Sequence, residues 1–303
     1  MTEVKLDSIL QMHHLQGNDK LNTIVKNGLQ KLVGSEGLDP SPTPQWAAEF
    51  FNLHQCKAFS EAPATKQEEI LGKCSAGVLE EALFIEQSGL AFGAKMGLLA
   101  ESVEERMLYA LFMSDEATHY HQVRRFLPGL GAQCTPSEFH VLLAQLIEEG
   151  DRESLVFTIQ VVLEGWGLIH YRTLADNCLS PEFEGVLHSI LRDEARHHGS
   201  GLVLCKRRGL PEQSHEFVFE ILSRFLGMIQ RGPQSVVAAI EEVSGGFTKS
   251  QRIKTFEDLD AVAHSQERLT LLRGLMEQDG FHKIVDRLNS LHLFTAKSAR
   301  ECA

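Results

Sequence analysis

Two short segments of the sequence share the pattern Asp-Glu-Ala-x-His. The first runs from Asp115 to His119 and the second from Asp193 to His197. On a helix, residues three apart project from the same face, so the glutamate and the histidine of each copy can reach one metal ion. A single Glu-x-x-His is typical of a solvated helix face. Two copies on separate helices favour a metal site.

A further glutamate precedes each copy at the same distance. Glu86 lies 30 residues before Glu116, and Glu164 lies 30 residues before Glu194. Both upstream glutamates fall in apolar stretches, and Glu164 is the only formally charged residue in the run VFTIQVVLEGWGLIHY. A carboxylate in such a run faces the interior, where a charge is costly unless it is paired or bound to a metal. Four glutamates and two histidines are therefore the candidate ligands.

The elements that must position these residues are predicted to be helices. Ser102 with Glu105 forms a capping box, and Ser180-Pro181 places a capping residue and a proline at the start of another helix. A hairpin that turns near Ser102 or Ser180 brings each upstream glutamate level with the Glu-x-x-His of the returning helix. Two such hairpins predict a four-helix bundle. Its helices are expected at about residues 76–100, 102–126, 153–177 and 180–208.

The rest of the chain is also predicted to be helical. Only nine prolines and few alternating β-branched runs leave little room for a sheet, so we predict an all-α fold. Residues 1–75 are expected to form an N-terminal helical extension with a loop at 34–44, and residues 76–208 the bundle. Residues 209–303 are expected to form a C-terminal helical region packed on the bundle. That region carries no chemical motif, and it would cover one end of the bundle or form a homodimer contact.

Composition excludes several classes of function. The chain has 303 residues, and its formal net charge of −12 is spread along the sequence, so a nucleic-acid partner is disfavoured. No apolar run approaches the ~18 residues that a membrane span needs, and the N-terminal sequence has no apolar signal core. The six cysteines form no Cys-x-x-Cys pair. This argues against zinc ribbons and thioredoxin chemistry and favours reduced thiols in a cytoplasmic protein.

Over roughly residues 76–208 the chain resembles the ferritin-like superfamily of di-iron and di-manganese carboxylate proteins. In that superfamily two helices each supply one Glu, and two others each supply a Glu-x-x-His. The resemblance implies that Glu116 and Glu194 bridge two metal ions. It also implies that Asp115 and Asp193 each accept the outer N–H of a histidine, which fixes the imidazole orientation. The implied metal ligands, which are also the catalytic residues, are Glu86, Glu116, His119, Glu164, Glu194 and His197.

Within the superfamily, the resemblance favours an oxygen-activating oxidase or oxygenase. Val123 stands where ribonucleotide reductase small subunits carry a radical tyrosine, and the Cys-x-x-Cys iron domain of rubrerythrin-type peroxidases is absent. The length and the added helices are similar to the p-aminobenzoate N-oxygenase type, although Ile190 stands where that type has a further histidine ligand.

The implied activity is O2-dependent hydroxylation, desaturation or N-oxygenation of a small organic substrate. The implied cofactors are two iron ions, and the same ligand set also serves manganese. O2 would be the co-substrate, and an external electron donor, such as a redox partner protein, would be needed. The alternative is a metal-handling ferroxidase or di-metal binding protein without an organic substrate.

Positions on the ligand-bearing faces predict a pocket beside the metals. Gly89 and Gly93 follow Glu86 by three and seven residues. Their lack of side chains leaves either space for substrate and O2 or a close helix–helix contact. His198, four residues after Glu194, is a candidate ligand or near neighbour. The remaining candidate pocket residues, which also suit an ordinary core, are Phe112, Phe157, Gln160 and Tyr171.

Overall fold

The regular elements are helical throughout the part of the chain that the structure describes. A computed structural model describes residues 10, 15, 18–33, 44–127, 137–278 and 280–303. Within these ranges the only extended pairing is an isolated antiparallel bridge between Trp46 and Cys178. The predicted all-α class is confirmed. In the same ranges, no helix is long and apolar enough to cross a membrane. The loop predicted at 34–44 lies, apart from Pro44, outside the described residues.

The described residues form α-helices together with shorter helical segments of other types. A π-helical segment lies at Val156–Leu163, and 3₁₀ turns lie at Ala48–Phe51, Leu53–Gln55 and Glu212–Ser214. The α-helices are α1 (Lys20–Val33), α2 (Lys57–Ser60), α3 (Ala64–Leu99), α4 (Val103–Arg124), α5 (Glu138–Glu149), α6 (Arg152–Leu155), α7 (Glu164–Asp176), α8 (Pro181–Arg208), α9 (His215–Gln230), α10 (Gln234–Ser244), α11 (Lys249–Asp258), α12 (Ala261–Met276), α13 (His282–Ser290) and α14 (Ala299–Cys302).

Contacts group the chain into two compact units. The first unit comprises Met1–Pro42 and Leu79–Arg152, and the second comprises Thr43–Val78 and Glu153–Ala303. The predicted division into 1–75, 76–208 and 209–303 follows the order of the chain and stays a prediction. Three of the six candidate ligands belong to each unit.

In the first unit, capping residues fix the hairpin of α3 and α4. The Ser102 hydroxyl accepts a hydrogen bond from the Glu105 N–H at 3.1 Å, which confirms the predicted start of α4. The Glu105 carboxylate accepts from the N–H of Glu101 at 3.0 Å, one residue before the cap. The helix predicted to begin near Ala76 begins earlier, at Ala64. Gly72 lies inside this helix. A single glycine lowers the stability of a helix by only ~1 kcal/mol, which is too little to end α3 there.

Lys95 ties α3 to the end of α5 in the same unit. Its ammonium donates to the carbonyls of Ile147, Glu148 and Gly150 at 2.7, 2.9 and 2.8 Å. These carbonyls lie where the helix leaves its last acceptors without partners, and a cation is favourable there. Burial lowers the pKa of Lys95, although the nearby Asp151 and Glu148 oppose that change.

In the second unit, the expected single α-helix over residues 153–177 is wrong in its middle. Val156–Leu163 is π-helical, with α-helix on both sides and Glu164 as the first residue of α7. Nearly every residue of that run is apolar, so its hydrophobic pattern does not distinguish i→i+4 from i→i+5 hydrogen bonding. The predicted start of α8 is confirmed, because the Ser180 hydroxyl accepts from the Phe183 N–H at 3.3 Å.

In the second unit, the C-terminal helices α10 and α11 share a core with the chain that runs from Leu53 into the first turns of α3. Leu53, Ile70, Ile240 and Phe256 are completely buried in one cluster that joins α3 to α10 and α11. This burial explains why Thr43–Val78 belongs to the second unit. The C-terminal region, predicted to be helical, is divided into the helices α9 to α14.

Candidate metal centre

The first unit brings Glu86, Glu116 and His119 together, and we call these residues the first triad. Glu86 lies on α3, and the other two lie on α4. Each residue offers a ligand atom, and these atoms all lie within 4.8 Å of one another. The exposed fractions are 0 % for Glu86, 3 % for Glu116 and 0 % for His119. His119 Nδ1 lies 3.1 Å from Glu86 Oε2, so the imidazole faces the carboxylate across the hairpin.

The second unit brings Glu164, Glu194 and His197 together as the second triad. Glu164 begins α7, directly after the π-helical segment, and the other two lie on α8. Their ligand atoms also lie within 4.8 Å of one another. Glu194 and His197 are buried, whereas Glu164 is only half-buried. His197 Nδ1 lies 3.4 Å from Glu194 Oε2.

The two triads have the same chemical composition, and both could hold a metal ion. Ligands bound at about 2.1 Å and separated by 3.1 or 3.4 Å subtend angles of about 95° or 108° at the metal. Such angles suit a divalent transition metal with mixed carboxylate and imidazole ligands. A cation also offsets the several kcal/mol that burial of an ionised carboxylate costs. The role of the six residues as ligands stays a prediction.

The Glu116 carboxylate lies directly against Gly89. A Cβ at position 89 would overlap Glu116 Oε2 and would lie only 2.5 Å from its Cδ and 2.9 Å from its Cγ. At Gly93 a Cβ would lie 2.6 Å from Met113 Cγ. Side chains of α4 therefore occupy the space beside both glycines. At Gly167, three residues after Glu164, a Cβ would meet nothing within 4 Å.

The aromatic candidates for the pocket are buried and contact other rings. Phe112 packs edge-on against Phe92, with ring centroids 5.2 Å apart. Phe157 stacks on Phe281 at 3.6 Å. Tyr171 is 3 % exposed. These contacts suit an apolar core, and the lining of a substrate pocket by these rings stays a prediction.

Gln160 and His198 contact each other through the backbone of the π-helical segment. His198 Nδ1 lies 3.0 Å from the Gln160 carbonyl oxygen. The Gln160 amide donates to the carbonyl of His197 at 3.3 Å and to the Ser200 hydroxyl at 3.2 Å. His198, on α8, therefore contacts the π-helical segment and is not a member of the second triad.

The two aspartates lie beside the triads along the same helices. Asp193 accepts a hydrogen bond from Arg196 Nη2 at 3.0 Å and is partly exposed. Asp115, on α4, is half-buried. That they orient histidines stays a prediction.

A neutral histidine lies one and a half turns beyond Glu164. Burial, with a smaller contribution from Arg268, lowers the pKa of His170 to about 4. The ring therefore adds no positive charge to α7 at neutral pH.

Sequence reasoning did not point to Ser200 or Gly201. A Cβ at Gly201 would overlap the Gln160 side chain and would lie 3.1 Å from its carbonyl carbon, so α8 approaches the π-helical segment closely at this glycine. The signal in the sequence is that Gly201 lies four residues after His197 and so shares its helix face.

Comparison with the known protein families finds no family that matches the chain, and comparison with curated proteins finds no match either.

Proposed function

We propose that the protein is a dinuclear metal protein of ferritin-like type, in which each triad binds one divalent metal ion. The single observation that carries the proposal is the recurrence of one ligand set, two glutamates and one histidine, in each compact unit. The matched 30-residue spacing supports a common helical-hairpin origin for both triads. The four-helix bundle is the arrangement that this ligand set adopts in the superfamily that the chain resembles.

We propose further that the activity is O2-dependent oxidation of a small organic substrate, with iron as the metal. Two ferrous ions, if bound by these ligands, would supply electrons and coordination positions for the reduction of O2. The chain's own residues would hold the metals, and the ligands of the first triad are buried away from solvent. Glu164 is the most exposed ligand, and open space lies at Gly167 one turn later, so small molecules would approach at the second triad.

A metal-handling ferroxidase without an organic substrate is the second candidate. The observation that favours it is that Glu116 and Met113 fill the space beside Gly89 and Gly93. The sequence left either space for substrate or close packing open at these glycines, and at the first triad the structure has close packing.

The cysteines indicate the kind of compartment in which the protein works. Where the structure describes them, Cys56, Cys74, Cys178, Cys205 and Cys302 are free thiols. Burial raises the pKa of Cys74 to about 12, which keeps that thiol protonated and unreactive. We therefore place the protein in the cytoplasm, with an external electron donor for each turnover.

Elemental analysis after anaerobic Fe(II) loading and desalting tests the metal centre. We expect about two irons per chain in the wild type. Glu116→Gln and Glu194→Gln keep the side-chain volume but remove a charged ligand, so both should lose iron. Glu257→Gln, at an exposed carboxylate paired with Lys254, is the matched control and should retain it. No retained iron in the wild type, or equal iron in all variants, would refute the metal centre.

Exposure of the iron-loaded protein to O2 separates the two candidate activities. An oxygenase should consume O2 with a reductant in proportion to the amount of an added organic substrate, and mass spectrometry should detect the oxidised product. A ferroxidase should oxidise added Fe(II) in many turnovers without any substrate. Rapid Fe(II) oxidation with no effect of amine, aromatic or aliphatic substrates would overturn the oxygenase proposal and support the second candidate.

A further inference from the structure

Gln160, in the π-helical segment Val156–Leu163, contacts the turn of α8 that carries His197. The His197 carbonyl accepts from the Gln160 amide at 3.3 Å and from the Ser200 hydroxyl at 2.8 Å. The Gln160 amide also reaches Ser200 Oγ at 3.2 Å. Gln160 is completely buried, so these contacts are made away from water.

His198 completes the contact from the other side of the same turn. Its Nδ1 lies 3.0 Å from the Gln160 carbonyl, which can only accept, so Nδ1 carries the proton. Gly201 allows this approach, because a Cβ there would lie 3.1 and 3.2 Å from the carbonyl carbon and oxygen of Gln160. We call the set of Gln160, His198, Ser200 and Gly201 the Gln160 clamp.

The position of the clamp relates it to the second triad. The π-helical segment ends where Glu164 begins α7, and an extra residue per turn rotates everything that follows relative to an α-helix. The clamp fixes that segment against the backbone of His197. The rotation of Glu164 and the position of His197 are therefore set by one network of contacts within the second unit.

We propose that the Gln160 clamp is a positioning device for the second triad, and that His198 is a positioning residue rather than a metal ligand. This inference rests on the proposed function, because it assumes that the second triad binds a metal. Contacts that orient metal ligands typically change the metal affinity by about 10–100-fold when they are removed. The clamp should act on the second triad and leave the first triad unchanged.

Cobalt(II) titration, followed by visible absorption under anaerobic conditions, tests the clamp one triad at a time. The double variant Glu86→Ala/His119→Ala reports on the second triad, and Glu164→Ala/His197→Ala reports on the first. In the former background, His198→Leu and Gly201→Ala should each weaken cobalt binding by about tenfold or more. In the latter background they should change it less than about twofold.

Two further variants separate positioning from a general loss of structure. His198→Asn places an amide N–H near the position of Nδ1 and should restore most of the affinity. His188→Leu, at an exposed histidine on α8 whose Nε2 lies 3.6 Å from Glu184, is the matched control and should have no effect. A tenfold loss with His198→Asn as well, or an equal loss at both triads, would overturn the proposal.

Hydrogen exchange gives a readout that does not depend on metal. Without the clamp, the amides between Val156 and Gly165 should exchange faster in His198→Leu than in the wild type, while those of α4 should not change. If the wild type binds no cobalt, the proposed metal function fails, whereas unchanged exchange across the π-helical segment would show that the clamp itself is wrong.

Discussion

Gly89→Ala should remove a metal ligand without touching a ligand residue. A normal contact between carbon atoms is about 3.5–4.0 Å, and the new Cβ would lie 2.5 Å from Glu116 Cδ. The Glu116 carboxylate must therefore move by about 1 Å to relieve the overlap. A metal–ligand bond tolerates deviations of only about 0.2 Å. We expect the first triad to lose about 100-fold in affinity for Fe(II) or Mn(II), which is about 2.7 kcal/mol.

Gly97→Ala on the same helix is the matched control. A Cβ at position 97 would meet nothing within 4 Å, so only helix propensity changes, and the free energy of unfolding should rise by about 0.5–1 kcal/mol. Isothermal titration with Mn(II), read beside circular dichroism, measures both effects. Equal Mn(II) affinity in the two variants, with the helical signal intact, would refute the idea that the absence of a side chain at Gly89 positions the Glu116 carboxylate.

Three further predictions concern stability. Lys95→Met removes three hydrogen bonds to the end of α5 and should lower the free energy of unfolding in urea by about 1–2 kcal/mol. The control Lys73→Met, at an exposed pair with Glu242, should lower it by less than about 1 kcal/mol. Equal losses in the two variants would contradict the capping role of Lys95. Burial lowers the pKa of His140 from 6.5 to about 4, and its Nδ1 accepts from the Ser137 N–H at 2.9 Å, so its contribution is complete above pH 6.5 and is lost as the pH falls towards 4. Because solvent screens this partly exposed ring, the free energy of unfolding should fall by about 1–2 kcal/mol over that pH range. His140→Gln keeps a side-chain acceptor and should flatten this pH dependence. An unchanged pH dependence in His140→Gln would contradict the role of the neutral imidazole. Mn(II) at about 100 times its dissociation constant should raise the free energy of unfolding by about 2.7 kcal/mol, and excess EDTA should reverse the shift in thermal melts; identical melts would argue against binding to the folded state.

Local capping signals in the sequence predicted the starts of α4 and α8. Ser102 and Ser180 are followed by the residues whose N–H groups they accept, and a cap depends only on such near neighbours. The candidate ligands were also accessible from sequence, because equal spacing and an isolated charge in an apolar run need no knowledge of packing. Within each compact unit the structure brings three of them together.

Features that depend on contacts between distant segments were not predictable. The hydrophobic pattern of Val156–Leu163 is nearly uniform, so it carries no information on π-helical hydrogen bonding. The function of Gly89 depends on which side chain of α4 lies opposite it, and sequence spacing left space and close packing equally open. The contact of Lys95 with α5 joins residues 52–55 positions apart, and no periodicity reports such a pair.

The two triads can be viewed as copies of one ancestral hairpin that have since diverged. Every member of the second triad follows its counterpart in the first by 78 residues. In the first copy the Glu116 carboxylate fills the space beside Gly89 and all three ligands are buried, whereas in the second copy Glu164 follows a π-helical segment and is half-buried, with open space at Gly167. Duplication leaves one copy free to retain its metal while the other accumulates changes. The inequality of the copies thus predicts a division of labour: one ion that is held as a permanent part of the fold, and another that exchanges with the surroundings.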